Sequence, residues 1–311
     1  MTTVSLFQGT STVLLNASLA WMTGAFFARN CLRNCSMSWC DKAMRRLDVS
    51  VLAAAGICIT SSFCTLWAAT AVMNDSPLWD ARDALWTMLT MTHYGRAGLC
   101  GLVTLLGIGC AYLARDKLHD RRTYDSVVAA LLLIFAFTRA IVSHAVHNGM
   151  FEVDVWLEWL HLLLIGLWAG GVMVSGWMVL PWPEISQKVE WRATTGFLNA
   201  LSRSATIALV GIAATGAYNA YRGLGSLDNL SGNAYGRALT IKLWLVALAV
   251  GLGAFNRFIG FPAVVTPDSR AIPLPVAMHR LVFILRLESF VLLGVLIAAA
   301  ALSGEAPPAL S

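Results

Sequence analysis

Four histidines lie at or near the edges of apolar segments, where imidazole side chains can bind transition metals. His144 and His147 occur in "SHAVHNGMF", His161 follows in "VWLEWLHLLLIG", and His93 precedes another apolar run in "LTMTHYGRAG". His144 and His147 are three residues apart and would share one face of a helix. Neutral imidazole is a good ligand for copper and zinc, so these residues predict a metal site.

Two methionines stand beside these histidines. Met91 precedes His93 by two residues, and Met150 follows His147 by three. Thioether ligands select Cu(I), so the methionines favour a soft metal ion. The predicted ligands are His93, His144, His147, His161, Met91 and Met150.

Two carboxylates share the segment that carries His161. Asp154, Glu158 and His161 follow i, i+4, i+7 spacing and predict one stripe along a helix. We expect Glu158, and more weakly Asp154, to orient a ligating histidine. The alternatives stay open: Asp154 as a helix N-cap, and Glu158 with Trp159 as an interfacial anchor.

The composition requires a membrane. The chain has 311 residues, of which 58% are hydrophobic and 13% charged, and its mean hydropathy is +0.67. A soluble domain is about one quarter charged. Apolar runs of about 20 residues cross the hydrocarbon core as helices, because lipid offers no hydrogen bonds to the backbone. We predict an all-α, multi-pass membrane helical bundle. Its eight transmembrane helices lie near 4–27, 48–74, 97–114, 126–146, 154–180, 200–221, 237–258 and 280–303.

The alternative is seven spans, with the short third segment re-entrant. The N-terminal apolar run has no basic residue before it, so we expect a retained first helix rather than a signal peptide.

The basic residues predict the orientation. One set of connecting segments carries Arg29, Arg33, Lys42, Arg45, Arg46, Arg115, Lys117, Arg121, Arg122, Lys188, Arg192, Arg203, Arg257, Arg270 and Arg280. The opposite set carries Arg82, Arg96, Arg222 and Arg237. The positive-inside rule places the first set in the cytoplasm and both termini outside. The net charge of +5 is therefore a topology signal and indicates no nucleic acid partner.

The cysteines give weaker signals. Cys100, two turns after His93, and Cys64 are candidates to relay Cu(I) inward from the histidines. Cys31, Cys35 and Cys40 have C-x3-C-x4-C spacing, which matches no strong zinc pattern. Their predicted cytoplasmic side is reducing, so we expect no disulfide there, and whether they bind metal stays open.

Four charged residues fall deep inside the predicted spans: Arg139, Lys242, Arg286 and Glu288. Charges at this depth need partners. We predict a network of ion pairs between helices, with a proton or ion path through Glu288 as the alternative.

The second half of the chain resembles a known family. Residues 161–303 are similar to the copper resistance D (CopD, PcoD) domain. The similarity lies in three segments: "HLLLIGLWAGGVMVSGWMVLP", the stretch from "LSRSATIALVGIAATGAYNAYRGLG" to "LTIKLWLVALAVGLGAFNRF", and "LRLESFVLLGVLIAAAALS". The first four spans resemble eight-span members of the family only in layout. The chain then divides into membrane halves at 1–153 and 154–311.

The resemblance implies copper homeostasis in a bacterial inner membrane. It implies movement of copper ions across that membrane, usually inward from the periplasm, beside a periplasmic copper carrier of the CopC type. No nucleotide-binding motif of the P-loop type occurs, so we expect no ATP-driven step. With transport as the predicted function, we do not expect an enzyme.

Two rival functions remain. A b-type cytochrome would hold haem between His161 and His144 or His147. A non-transporting partner would bind copper and dock the carrier without any flux. Neither the direction of transport, the copper oxidation state, the coupling ion nor the oligomeric state follows from the sequence.

Overall fold

The computed structural model describes residues 3–35, 38–115, 120–144, 153–180, 188–226, 228–265 and 273–305. All regular secondary structure within these ranges is helical. Eight helical segments there are long and apolar enough to cross a membrane. The chain is therefore a multi-pass membrane helical bundle, and the predicted fold class and number of spans are confirmed.

Four spans form the first half. They are α1 (Thr3–Leu32), α2 (Ser38–Met73), α4 (His93–Leu113) and α5 (Arg121–His144), with the short helix α3 (Arg82–Met91) before α4. The 21 residues of α4 rise about 30 Å, enough to cross the hydrocarbon core. The re-entrant alternative for the third segment is therefore wrong. The connecting segment before it contains α3, whose Met88 and Leu89 pack against Leu66.

The second half contains three wider π-helical turns. Its first span runs through α6 (Val153–Ile165), a π-turn (Gly166–Gly170), α7 (Gly171–Val174) and a second π-turn (Ser175–Val179). The next is α8 (Lys188–Leu224), followed by the short α9 (Asn229–Gly232). The seventh runs through α10 (Ala234–Phe255), a third π-turn (Asn256–Gly260) and α11 (Phe261–Val265), and the eighth is α12 (Leu274–Ser303).

Consecutive spans run in opposite directions, so the bundle has two distinct faces. We call "terminal face" the one that holds the helix ends at Thr3, Met73, His93, His144, Val153, Leu224, Ala234 and Ser303. We call the opposite one the "basic face", because it carries most of the basic connecting segments. There Arg29 on α1 and Arg115 after α4 both bind Asp48 on α2, which ties three elements together.

Helix α1 crosses the first π-turn at very close range. A Cβ atom added to Gly24 would lie 2.1 Å from the carbonyl carbon of Gly170, and one added to Gly170 would lie 1.7 Å from the carbonyl oxygen of Ala20. Only glycine permits this approach of two backbones, as in many helix contacts in membranes. The contact fixes the span that carries His161 against the first half of the bundle.

Cys35, which follows α1, and Cys40, in the first turn of α2, form a disulfide. The expectation of free thiols at these two positions is wrong in the structure. Their Cα atoms lie 6.2 Å apart, within the range that a disulfide requires. Cys31 is free.

Candidate metal site

His161 is a buried histidine of α6, with 6% of its surface exposed. Its Nδ1 atom lies 2.8 Å from the hydroxyl oxygen of Thr215 on α8. The Thr215 hydroxyl donates its single proton to the carbonyl oxygen of Gly211, at 2.7 Å. It must therefore accept a hydrogen bond from Nδ1–H of His161. This assignment leaves Nε2 unprotonated, which is the form of imidazole that binds a metal ion.

The two carboxylates of α6 also contact α8. Glu158 accepts a hydrogen bond from the side-chain amide of Asn219 at 2.8 Å. Asp154 accepts one from the Tyr218 hydroxyl at 2.6 Å and one from the Arg222 guanidinium at 2.8 Å. The predicted stripe of Asp154, Glu158 and His161 therefore lies on one face of α6, directed at α8.

Two basic side chains approach the same stripe from other spans. Arg139 on α5 and Lys242 on α10 both interact electrostatically with Glu158. The Nε atom of Arg139 is buried and makes no hydrogen bond. It borders a cavity of about 20 Å³, lined also by Tyr94 and Thr138, which is roughly the space of one water molecule. Arg139 and Lys242 thus both act on the charge of Glu158, and the predicted ion-pair network with Arg286 and Glu288 stays a prediction.

Of the other predicted ligands, the structure describes the side chains of His93 and Met91. His93 begins α4 at the terminal face, where it is exposed and has Nδ1 3.4 Å from the guanidinium of Arg96. Met91 is 76% exposed on the same face. His147, Met150 and the side chain of His144 lie outside the described residues. Within the described ranges, no three His, Cys, Asp or Glu side chains are grouped to hold a metal ion. The site of four histidines therefore stays a prediction.

The candidate relay cysteines lie on α2 and α4. Cys100 is exposed on α4. Cys64 is half-buried on α2 and lines an apolar surface groove with Phe63 and Leu102. Among the free cysteines of the described ranges, Cys58 is the buried one, with its thiol 3.9 Å from the carbonyl oxygen of Leu15. A relay through Cys64 and Cys100 stays a prediction.

The two charges on α12 have separate surroundings. Arg286 donates to the carbonyl oxygen of Gly176 at 3.0 Å and lies over the ring of Trp177, 4.7 Å from its centroid. Glu288 is 2% exposed and interacts with the side chains of Trp168 and Asn256. Among the salt bridges that the described residues form, none joins Glu288 to a basic side chain.

The sequence reasoning missed the partners that α8 provides. Thr215, Tyr218, Asn219 and Arg222 recur at intervals of three and four residues in the segment "TGAYNAYR". That spacing places polar groups on one face of an otherwise apolar helix, as it does in α6. Polar residues recur with the same helical spacing in α6 and in α8, and this shared spacing was the signal that the two helices pack together.

The fold and the polar interface between α6 and α8 define a multi-pass membrane protein with a buried imidazole available to a ligand. Two family models match the chain. One, described as "Copper resistance protein D", covers residues 195–302, and one, described as "Copper resistance protein D-like, N-terminal domain", covers residues 5–153. No curated protein and no solved structure gives a match. The chain belongs to the copper resistance protein D family, and its role lies in copper resistance or homeostasis.

Proposed function

We propose that this protein transports copper ions across the bacterial inner membrane, in the direction of uptake from the periplasm. The observation that carries the proposal is the hydrogen bond between His161 and Thr215. It leaves Nε2 of a buried intramembrane histidine available to a metal ion. Ionisable residues at membrane depth commonly mark an ion pathway, and copper is the ion to which the family is linked.

The terminal face is the periplasmic face in this proposal. The positive-inside rule supports it, because the basic residues are concentrated on the opposite face. His93 and Met91 are exposed at the terminal face and are positioned to receive copper first. His144, His147 and Met150 would complete the entry site there. A periplasmic carrier of the CopC type is the partner we propose to deliver the ion.

The second half of the chain binds the copper ion after it has left the entry site. His161 lies about 12 Å along α6 from the terminal face, so an ion captured at the entry site descends along the interface between α6 and α8. Glu158 partly offsets the added positive charge of a copper ion near His161, while Lys242 opposes it. In this arrangement 1–153 supplies the capture residues and 154–311 the buried imidazole.

Copper stoichiometry of the detergent-purified protein tests the site. His161→Ala should lower the copper content measured by elemental analysis. His279→Ala should not, because His279 is exposed near the basic end of α12. Unchanged copper content in His161→Ala would remove His161 from the site. An optical spectrum of the same samples tests the rival, since a Soret band with stoichiometric iron would identify a b-type cytochrome.

Flux into liposomes tests transport separately from binding. Vesicles with the purified protein should accumulate copper ions faster than empty vesicles and faster than vesicles with His161→Ala. Copper binding without any flux would instead favour the rival in which the protein only docks the carrier.

A further inference from the structure

A second polar centre lies between α10 and α12, around the carboxylate of Glu288. Glu288 stands in the middle of α12 and is 2% exposed. A Cβ atom added to Gly253 on α10 would lie 3.1 Å from Oε1 of Glu288. The carboxylate is therefore directed at α10, at a position where glycine leaves room for it. The Trp168 indole from the first π-turn and the Asn256 amide from the third interact with it there.

Asn256 has unused hydrogen-bonding capacity in this centre. It is 2% exposed, and neither Oδ1 nor Nδ2 makes a hydrogen bond of standard geometry. Leaving a buried polar group unsatisfied costs about 1–3 kcal/mol, so such groups are uncommon in folded proteins. Its amide interacts with the Glu288 carboxylate, at a geometry poorer than that of a standard hydrogen bond. The buried amide therefore keeps hydrogen-bonding capacity beside the buried carboxylate.

The nearest basic residue along α12 does not neutralise Glu288. The guanidinium of Arg286 contacts Gly176 and Trp177. Lys242 on α10 interacts with Glu158 and His161 instead. An ionised carboxylate in an apolar interior is strongly unfavourable unless a positive charge accompanies it.

The local backbone agrees with a ligand site. Trp168 and Asn256 both lie in π-turns, and π-turns inside α-helices occur often at functional sites. The carboxylate and amide oxygens are hard ligands, which suit small cations rather than soft metals such as Cu(I).

We propose that Glu288 and Asn256 form a binding site for a single monovalent cation, either a proton or Na⁺, that neutralises the Glu288 carboxylate. Glu288 carries the charge, Asn256 supplies Oδ1, and Trp168 orients the carboxylate. Its residues are distinct from the copper ligands proposed above. The inference therefore does not depend on copper transport, and it is tested on copper-free protein.

The sodium arm of the test uses thermal unfolding of the full-length protein in detergent. Sodium chloride replaces choline chloride at constant ionic strength and constant pH. A bound Na⁺ raises the unfolding midpoint of the wild type, because a ligand that binds only the folded state stabilises it. Glu288→Gln abolishes this rise. Glu158→Gln retains it, because that carboxylate has Asn219 as its own partner.

The proton arm uses infrared difference spectra of the same proteins between acidic and alkaline buffer. A proton on Glu288 gives a carboxylic C=O band that disappears at high pH in the wild type and in Glu158→Gln. That band is missing from Glu288→Gln throughout.

Gly253→Ala keeps the proposal testable should Glu288→Gln fail to fold. It leaves every polar group in place and crowds Oε1 of Glu288, so it weakens the sodium response or shifts the pH at which the carboxylic band is lost. A positive result in either arm supports the site and identifies its cation. A midpoint indifferent to Na⁺, together with no carboxylic band assignable to Glu288, would overturn it.

Discussion

The hydroxyl oxygen of Thr215 on α8 lies 2.8 Å from Nδ1 of His161 on α6, and the two residues are 54 positions apart in the chain. The Thr215 hydroxyl donates its proton to the carbonyl oxygen of Gly211, so it accepts a hydrogen bond from Nδ1–H of His161. This contact therefore selects the tautomer of His161. A residue with no metal-binding chemistry of its own thus prepares the buried imidazole for a metal ion. Such supporting contacts typically matter 10–100-fold in metal affinity.

Thr215→Val should therefore weaken copper binding by about 10–100-fold, whereas Thr215→Ser should bind copper as the wild type does. Valine keeps the branched shape and loses the acceptor, so the Nδ1 proton is no longer fixed. Competition against a copper chelator measures the two affinities on purified protein. Equal affinity in Thr215→Val and wild type would mean that the hydrogen bond does not prepare the ligand.

The contacts of Asp154 should differ in their contribution to stability. Tyr218→Phe should lower the free energy of unfolding by about 1.5–3 kcal/mol, because it removes a hydrogen bond to a charged, largely buried carboxylate. Arg222→Gln should cost only about 0.2–1 kcal/mol, because 54% of the Arg222 side chain is exposed. Unfolding in detergent, followed by tryptophan fluorescence, gives both values. The reverse order would contradict the assignment of Tyr218 as the main partner.

The crossing of α1 and the first π-turn should tolerate no added methyl group. Gly24→Ala places a Cβ atom 2.1 Å from the backbone of Gly170, so the helices must separate. We expect a loss of stability of at least about 1–3 kcal/mol. Gly56→Ala is the matched control, since an added Cβ at Gly56 meets nothing within 4 Å. Its unfolding midpoint should equal or slightly exceed that of the wild type. Equal midpoints for Gly24→Ala and Gly56→Ala would argue against the close crossing.

The disulfide between Cys35 and Cys40 predicts a definite count of reactive thiols. The chain has seven cysteines, of which Cys31, Cys58, Cys64, Cys100 and Cys110 are free. Denatured protein should incorporate five alkylating groups without reductant and seven after reduction, as measured by mass spectrometry. In Cys35→Ser, all remaining cysteines should react without reductant.

The same labelling inside intact cells bears on the orientation. A cytoplasmic basic face would keep Cys35 and Cys40 reduced, because the cytosol does not support structural disulfides. Reduced thiols in cells together with a disulfide after purification would agree with the positive-inside assignment. A disulfide already present in cells would argue for the opposite orientation.

Individual residues show how far sequence reasoning reached into the site. The spacing of Asp154, Glu158 and His161 was enough to predict that they share one face, because a helix repeats every 3.6 residues. It could not predict that Thr215, Tyr218, Asn219 and Arg222 meet them. That contact depends on which spans become neighbours, and every apolar helix in a membrane offers several candidate neighbours.

The charged residues show the same limit. The sequence was enough to predict that these residues lie inside the spans and that they need partners there. The ion-pair network predicted for Arg139, Lys242, Arg286 and Glu288 stays a prediction, but the partners of each residue could not be predicted. In the structure Arg139 and Lys242 approach Glu158, whereas Arg286 contacts Gly176 and Trp177, and Glu288 faces Asn256.

The sequence by itself determined that this is a multi-pass membrane helical bundle of eight spans, and its ordered motifs were sufficient to indicate the family. Those properties depend on the hydrophobicity and the helical period of each segment, which can be recognised without knowing how the segments pack. Only the tertiary structure decided that Thr215 fixes the tautomer of His161, that Gly24 meets Gly170, and that Asn256 faces Glu288. Each of these pairs joins residues far apart in the chain, and their contact depends on how the helices pack side by side.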